Sequence, residues 1–402
     1  MNKEHKNTLL LLVRGQTTNF GNIIFDYANK LLIAQLASQS SFFMMLYQSS
    51  ESIIRLVFNL FAGYLADFSN RKQVLILTDL IAAIATFLLF LFYNPENIWA
   101  LVIVNGLLAL LFSFNGPAYK AIIKDLLSRK GIYRYNSFSK IIAEMVGVGA
   151  PLVAVFIIKQ FGFKYGMLIN SLSFMVSVLC EYHFYILHKV ENHPLPLLAG
   201  LKEGFLYLYQ DKMLFIILCA TAFLNFLEAV YNFYLPFTST FSQFSNIYAY
   251  ILVAQSLGSI LGALLIATMK LKIAGQGFFH LLLPGAIALI LLEVFKNYQA
   301  MLLILFAIFS TTVSMFNVSF MSHMQVSVAS NFLGRIFSLI FTIVGIFAPL
   351  GSFVASLIDL KSWQIFAYVG YGQLLIYSLS LLAIHKFIHK QDKTPSSPSS
   401  KG

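Results

Sequence analysis

Charge is scarce in this chain. Lys, Arg, Asp and Glu together make up 11% of its 402 residues, against roughly a quarter in an ordinary soluble domain, so there is too little polar surface to cover a water-facing globule. Cysteine is scarcer still. Cys180 and Cys219 both fall inside apolar runs, which reads them as small buried hydrophobes rather than a disulfide, a nucleophile or a metal site. No G-x-x-x-x-G-K-S/T is present, so the chain carries no P-loop for a nucleotide, and no His/Cys/Asp group has metal-ligand spacing. The eight His are scattered, with His188 and His193 in a polar stretch that reads as a solvated loop. A membrane enzyme would need a nucleophile or a cluster of acids at one interface, and none is visible. No metal and no organic cofactor is expected.

The net charge of +11 would suit nucleic acid only if the basic residues clustered on one soluble face. They sit between apolar runs instead, so no nucleic-acid partner is expected.

What is abundant is the complement. Hydrophobic residues make up 58% of the chain, with 40 Phe and 20 Tyr, a composition that suits helix surfaces facing lipid and a cavity for apolar ligands. Apolar windows of about twenty residues, the length that crosses a bilayer core, predict helices over 9–34, 41–65, 73–93, 98–118, 138–160 and 165–187. A second set follows over 213–238, 246–268, 277–295, 299–321, 336–358 and 363–388. The expected fold is an all-α integral membrane protein with twelve transmembrane helices in two six-helix bundles, 1–187 and 212–390, joined by a cytoplasmic connector at 188–211. The Ser- and Pro-rich tail, 391–402, is expected to be disordered. The start has a basic n-region, but Arg14 interrupts its apolar run and no small-residue cleavage site follows, so it is expected to be retained.

Sorting the 27 Lys and Arg along this pattern leaves Lys159, Lys164, Lys296 and Lys361 on one side, Arg14, Lys30 and Arg55 within helices, and the remaining twenty on the other side. Cytoplasmic loops carry the excess of Lys and Arg, so both termini are expected in the cytoplasm. The two halves also resemble each other. The segments at 146–154 (VGVGAPLVA) and 344–352 (VGIFAPLGS) match at five of nine positions, and Gly63 and Leu65 align with Gly262 and Leu264 at nearly the same offset. A same-sense duplication with six helices per half implies two parallel repeats related by an axis along the membrane normal.

An ionisable side chain inside a membrane helix costs about 2.5–3.5 kcal/mol on insertion scales, so each one needs a reason. In the first predicted helix Gln16, Asn19, Asn22, Asp26 and Lys30 fall within an arc of about 120°, one stripe that must face protein or water. In the second, Gln48, Glu51, Arg55 and Asn59 form a similar stripe. Asp26–Lys30 and Glu51–Arg55 are each four residues apart and can pair on their own helix. A rise of about 1.5 Å per residue brings the two carboxylates to comparable depth. Two readings stay open: closed ion pairs that hold helices together, or carboxylates that take up and release protons in transport. The fifth helix adds Lys140 and Glu144. The seventh carries Asn225, Glu228 and Asn232 flanked by Tyr231 and Tyr234, a carboxylate beside aromatic rings that suits a cation.

The segment Gly63-Tyr-Leu-Ala-Asp67-Phe-Ser-Asn70-Arg71-Lys72 resembles the G-x-L-x-D-R-x-G-R-R/K signature of the major facilitator superfamily, with Phe68 and Asn70 where the signature has Arg and Gly. Gly147-Val-Gly149-Ala-Pro151 resembles a loosened form of that superfamily's antiporter motif. The segments at 114–127 (FNGPAYKAIIKDLL), 170–179 (NSLSFMVSVL), 201–208 (LKEGFLYL) and 333–355 (LGRIFSLIFTIVGIFAPLGSFVA) are similar to its bacterial macrolide-efflux branch. The resemblance implies that helices 1, 4, 7 and 10 line a cavity, which would make Asn105, Ser314 and Asn317 polar contacts beside Asn19, Asn22, Asn225, Tyr231 and Asn232. For the neutral residues, interhelical hydrogen bonding is the alternative. It also implies that Asp67 meets the start of helix 11 near Gly334 and Arg335 as a latch, with topology determination as the plainer role of Arg71 and Lys72. Gly147, Pro151, Gly345 and Pro349 would let helices 5 and 11 approach their counterparts closely.

The expected function is secondary active transport: proton-coupled export of small amphipathic or cationic compounds by a monomer in a bacterial cytoplasmic membrane. The alternatives are an uptake permease for a small solute or a lipid transporter. Sugar sites favour Trp, and the chain has two.

Overall fold

The computed structural model describes residues 3–36, 39–68, 70–187, 212–269, 277–327, 333–358 and 360–391, without the side chains of 59–68, 321–327, 333–344 and some shorter stretches. Among the described residues it is all helical. Twelve helices of 13 to 33 residues run in chain order: α1 (Lys3–Ala34), α2 (Ser40–Phe68), α3 (Arg71–Leu91), α4 (Ile98–Leu126), α5 (Arg129–Phe161), α6 (Lys164–Tyr182), α7 (Lys212–Tyr234), α8 (Ile247–Met269), α9 (Leu282–Val294), α10 (Gln299–Ser327), α11 (Leu333–Leu357) and α12 (Gln364–Gln391). Two one-turn helices, Thr238–Phe241 and Gly277–His280, precede α8 and α9. The expected connector at 188–211 and the tail from 392 onward lie outside the described residues.

Seven of these helices are long and apolar enough to cross a membrane. Five fall outside that group: α1 and α2, which carry the polar stripes, α6, α9, which is short, and α11, whose stretch Gly345–Leu357 is apolar but short. Large side chains such as Phe92, Ile103, Met145, Phe156, Val294 and Leu357 stand exposed around the outside, an apolar surface that water would not tolerate and lipid matches.

The helix pairing repeats itself. In the first half α1 packs on α5 and α6, α2 on α4, and α3 on α4 and α6; in the second α7 packs on α11 and α12, α8 on α10, and α9 on α10 and α12. The halves meet through α2 against α11 and α5 against α8, the same contact seen from the two sides of a pseudo-twofold axis. That is the geometry the internal repeat implies.

Helix ends depart from the sequence expectation at several places: α1 and α10 run six residues longer, α9 starts five residues later, and two further departures have a visible local cause. Apolar windows leave about twenty residues between the fourth and fifth helices, whereas α4 and α5 both run on and leave only Leu127 and Ser128 between them. Capping explains this: the Ser128 hydroxyl accepts from Gly131 N–H at the start of α5, and Glu4 Oε1 accepts from both the Ser128 amide and hydroxyl, at 2.9 and 2.5 Å. The sixth helix stops at Tyr182 rather than 187. The chain then folds back, with Asn7 bonded to both the carbonyl and the amide of Tyr185 and the Leu187 amide to the Asp125 carbonyl. At the opposite end Gly162, at φ 98°, closes α5 by donating to the Ile157 and Ile158 carbonyls.

In the second half α8 and α10 touch backbone to backbone. A side-chain carbon at Gly258 would run into the Ala307 carbonyl and one at Gly262 into that of Thr311, and Ser310, Thr311 and Ser314 donate across the seam to the carbonyls of Gln255, Gly258 and Ser259. Small residues four apart provide this approach. Gly258→Val is expected to destabilise the protein by about 1–3 kcal/mol, the usual range for overpacking. Gly149→Ala, where a side-chain carbon meets open space, should be neutral or slightly stabilising. Melting of the two purified variants in detergent checks this, and equal melting temperatures would refute the seam.

Candidate functional site

The stripes of α1 and α2 converge. Asn22, Phe25, Asp26 and Lys30 from α1, Tyr47, Glu51 and Arg55 from α2, and Asn105, Leu108 and Phe112 from α4 line a cavity of about 290 Å³. A second cavity of about 420 Å³ shares Lys30 and Glu51 and is completed by Asn225, Glu228 and Asn232 of α7 and by Ala348 and Ser352 of α11. The two adjoin at Lys30 and Glu51, the first within the first half and the second between the halves, near the lower end of the size range of small-molecule sites, roughly 300–1,000 Å³.

Inside them the expected pairs form: Lys30 Nζ to Asp26 at 2.8 Å and Arg55 to Glu51 at 2.8 Å. Asn105 donates to the Tyr47 carbonyl. Glu228 is exposed to the cavity and has no ion-pair partner among the described residues. These walls therefore carry three carboxylates against two cations.

At the end opposite the chain's first residues the halves are tied together. The Tyr27 and Tyr248 rings stack at 4.9 Å, Gln48 donates to the Asn232 carbonyl at 3.2 Å, Ser352 to Gln48 at 3.4 Å, and Lys361 to Ser40 at 2.8 Å.

Other expected site residues lie elsewhere. Tyr231 is 2% exposed, turned into the core among Phe306, Phe309 and Phe366, with its hydroxyl accepting from Gln255 at 2.6 Å. The aromatic residues next to the first cavity are Phe112, which is partly exposed, and Phe25 and Tyr47, which are buried behind it. Tyr47 was findable, because 47, 51 and 55 recur at four-residue steps on one face of α2. Ser314 bonds to α8 rather than lining a cavity, and Asn317 is exposed on α10. Asn19 is partly buried on α1, one turn from Asn22. Glu144 pairs with Lys140 along α5 at 2.5 Å and lines neither cavity. Gly147 faces Ser256 of α8 and Gly345 faces Leu56 of α2, so both glycines sit where the halves touch. Pro151 and Pro349 lie within α5 and α11. The side chains of Asp67 and Arg335, and the surroundings of Gly63, fall outside the described residues.

One charged group escapes a reading by stripes. Arg14 bonds to Asp79 of α3, Asn115 of α4 and Glu181 of α6, all buried. Asp79 and Glu181 stand alone in apolar stretches, and the available signal was that an isolated acid in a membrane helix needs a cation from another one.

The sequence pattern of the Major Facilitator Superfamily matches residues 17–352, most of the chain. The chain belongs to the Major Facilitator Superfamily. It is a multi-pass membrane transporter and acts on a small-molecule substrate. Macrolide efflux protein A of Enterococcus faecalis is 23% identical over 309 residues, covering 73% of this chain and 94% of that protein. Among solved structures, the peptide-transporter-family protein PepTSo superposes with a TM-score of 0.74 at 10% identity, over 95% of this chain and 98% of that one. A bacterial homologue of the human lysosomal transporter Spinster superposes at 0.72 and 13% identity, over 99% and 100%, and the nucleoside transporter NupG at 0.67 and 16%, over 97% and 99%. At these identities the structures speak to the fold alone.

Within the superfamily's signature loop, Arg71 and Lys72 do more than set topology. Arg71 Nη1 donates to both Asp125 oxygens at 2.9 Å, tying α3 to the end of α4, and Lys72 Nζ donates to the Tyr182 and Phe184 carbonyls at 2.8 and 3.1 Å, capping α6. Both side chains of the Arg71–Asp125 pair are about nine-tenths buried. A double-mutant cycle with Arg71→Gln and Asp125→Asn is expected to give a coupling of about 1.5–3 kcal/mol, the range for a charge-assisted hydrogen bond. A coupling near zero in thermal or denaturant unfolding would remove the pair from the fold's supports.

Proposed function

We propose that this transporter exports small amphipathic or cationic compounds in exchange for protons. It would work as a monomer by alternating access in a bacterial cytoplasmic membrane, with both termini inside. The observation that carries this reading is the charge count of the central cavity. Asp26 with Lys30 and Glu51 with Arg55 cancel as pairs, and Glu228 is left over in the same space. An unbalanced carboxylate between membrane helices calls for a positive partner, which can be a proton or a cationic substrate, but not both at once. Mutual exclusion at one acid is the simplest form of exchange.

Phe112, partly exposed in the lining, supplies a ring face for the apolar part of such a compound, and ring faces attract cations. Rocking the bundle 1–187 against 212–390 would carry the cavity from one side to the other, with Asp67 and Arg335 as the proposed latch and Gly147, Pro151, Gly345 and Pro349 at the moving seams. Each proton moving inward contributes about 2.3 kcal/mol per 100 mV of membrane potential. Support for export over uptake comes from the name of the Enterococcus faecalis relative and from the acidic, aromatic lining.

The test uses everted membrane vesicles and a fluorescent lipophilic cation. Accumulation on energisation, collapse by a protonophore, and loss of at least ten-fold in rate with Glu228→Gln are the expected outcomes. Asp26→Asn and Glu51→Gln should likewise abolish the response to an imposed pH gradient while leaving expression and melting unchanged. Normal pH-driven efflux in all three variants would discard the proposal. Energised accumulation of a nucleoside or peptide in right-side-out vesicles would replace it with an uptake permease.

A further inference from the structure

Apart from the central cavity, the first bundle buries a second charged group that the transport reading does not use. Arg14 of α1 donates through Nε to Glu181 Oε1 of α6 at 2.9 Å, and through Nη2 to Asp79 Oδ2 of α3 at 2.9 Å and to Asn115 Oδ1 of α4 at 2.8 Å. The Asp79 and Glu181 side chains are 1% and 0% exposed and that of Arg14 is 6% exposed. Asn115 in turn donates to Asp79 Oδ1 at 2.8 Å and to Thr78 at 2.7 Å. The guanidinium lies over the Tyr119 ring at 4.2 Å, and the Tyr119 hydroxyl meets that of Tyr135 from α5 at 2.7 Å. Cys180 flanks Glu181 on α6, and Lys72 is turned to the carbonyls of Tyr182 and Phe184 rather than to either acid. Those are the titratable and charged groups around the cluster on every described helix that packs there.

Two counts then disagree with a fully ionised cluster. By charge, one cation faces two carboxyls, so ionising both leaves a net negative charge buried between membrane helices, at a cost of several kcal/mol. By hydrogen bonds, both Asp79 oxygens and Glu181 Oε1 receive a donor, whereas Glu181 Oε2 is buried and meets none. Both carboxyl groups bond to the one Arg14 guanidinium, Glu181 to Nε and Asp79 to Nη2, so the two acids share a single cation and a proton on one of them removes the surplus charge. A single proton on Glu181 Oε2, the one carboxyl oxygen of the four that receives no donor, balances the charge of the cluster.

We propose that Asp79 and Glu181, held against Arg14, are a binding site for one proton, separate from the central cavity. The site is distinct in depth: Arg14 precedes Asp26 by twelve residues, about 18 Å along α1, toward the end that carries the chain's start. It joins α1, α3, α4 and α6, so gaining or losing this proton changes the balance of charge at the junction of four helices. It does not rest on Glu228 or on export, since the counts hold whatever the cavity carries.

The experiment is pH-difference infrared spectroscopy of the full-length protein in lipid nanodiscs. At neutral pH the wild type is expected to show a protonated-carboxyl band that is absent from Glu181→Gln and from Asp79→Asn, yet persists in Glu51→Gln and Glu228→Gln. Titration to alkaline pH with an indicator dye should release about one proton fewer from Glu181→Gln than from the wild type. Carboxyl-labelled glutamate shifts the band in the Glu51→Gln/Glu228→Gln protein, which keeps the assignment testable if Glu181→Gln fails to fold. Absence of the band from the wild type, its persistence in both cluster variants, or no isotope shift would overturn the proposal.

Discussion

An ionised side chain facing hydrocarbon is expensive, and most of the architecture of this transporter answers that cost. Among the described residues, Arg14, Asp26, Lys30, Glu51, Arg55, Asp79 and Glu181, the charged groups well inside the helices of the first bundle, meet one another. Asp26–Lys30 and Glu51–Arg55 close on their own helices and line the cavity. Arg14 gathers two acids from other helices into the first bundle, and Arg71 and Lys72 tie the ends of α3, α4 and α6. The outside is left largely apolar, and the polar groups of the first bundle collect in a buried cluster around Arg14 and along the cavity walls.

The same economy explains the seams. Lipid offers no hydrophobic drive for helices to associate, so close packing and hydrogen bonds do that work. The second bundle uses Gly258 and Gly262 against α10 with three hydroxyls across the contact. Contacts between the bundles combine hydrogen bonds, such as Gln48 with Asn232 and Ser352, with the stacked rings of Tyr27 and Tyr248.

Much of this was legible from residues alone. The apolar windows located the helices, missing mainly at 119–137, where the continuation of α4 and α5 depends on a cap by Glu4 from the far end of α1. The repeat at 146–154 and 344–352 put matching glycines and prolines on the fifth and eleventh helices, and the structure sets Gly147 and Gly345 where the halves touch. Stripes on α1 and α2 led to the cavity because a helix face is a local property, set by a hundred degrees per residue. Tyr231 shows where that logic stops: its helix face was readable, but that the second bundle's Phe306, Phe309 and Phe366 enclose it was not.

Sequence by itself therefore determined the membrane as solvent, the duplicated helical plan, and the two intrahelical ion pairs, since each depends on composition or on spacing within about one turn. Only the tertiary structure decided that Glu228 shares a space with Glu51, that Arg71 belongs to Asp125, and that Arg14 faces Asp79 and Glu181, residues 65 and 167 positions away. Electrostatic partnership acts through distance in space, and that distance exists only once the helices have packed.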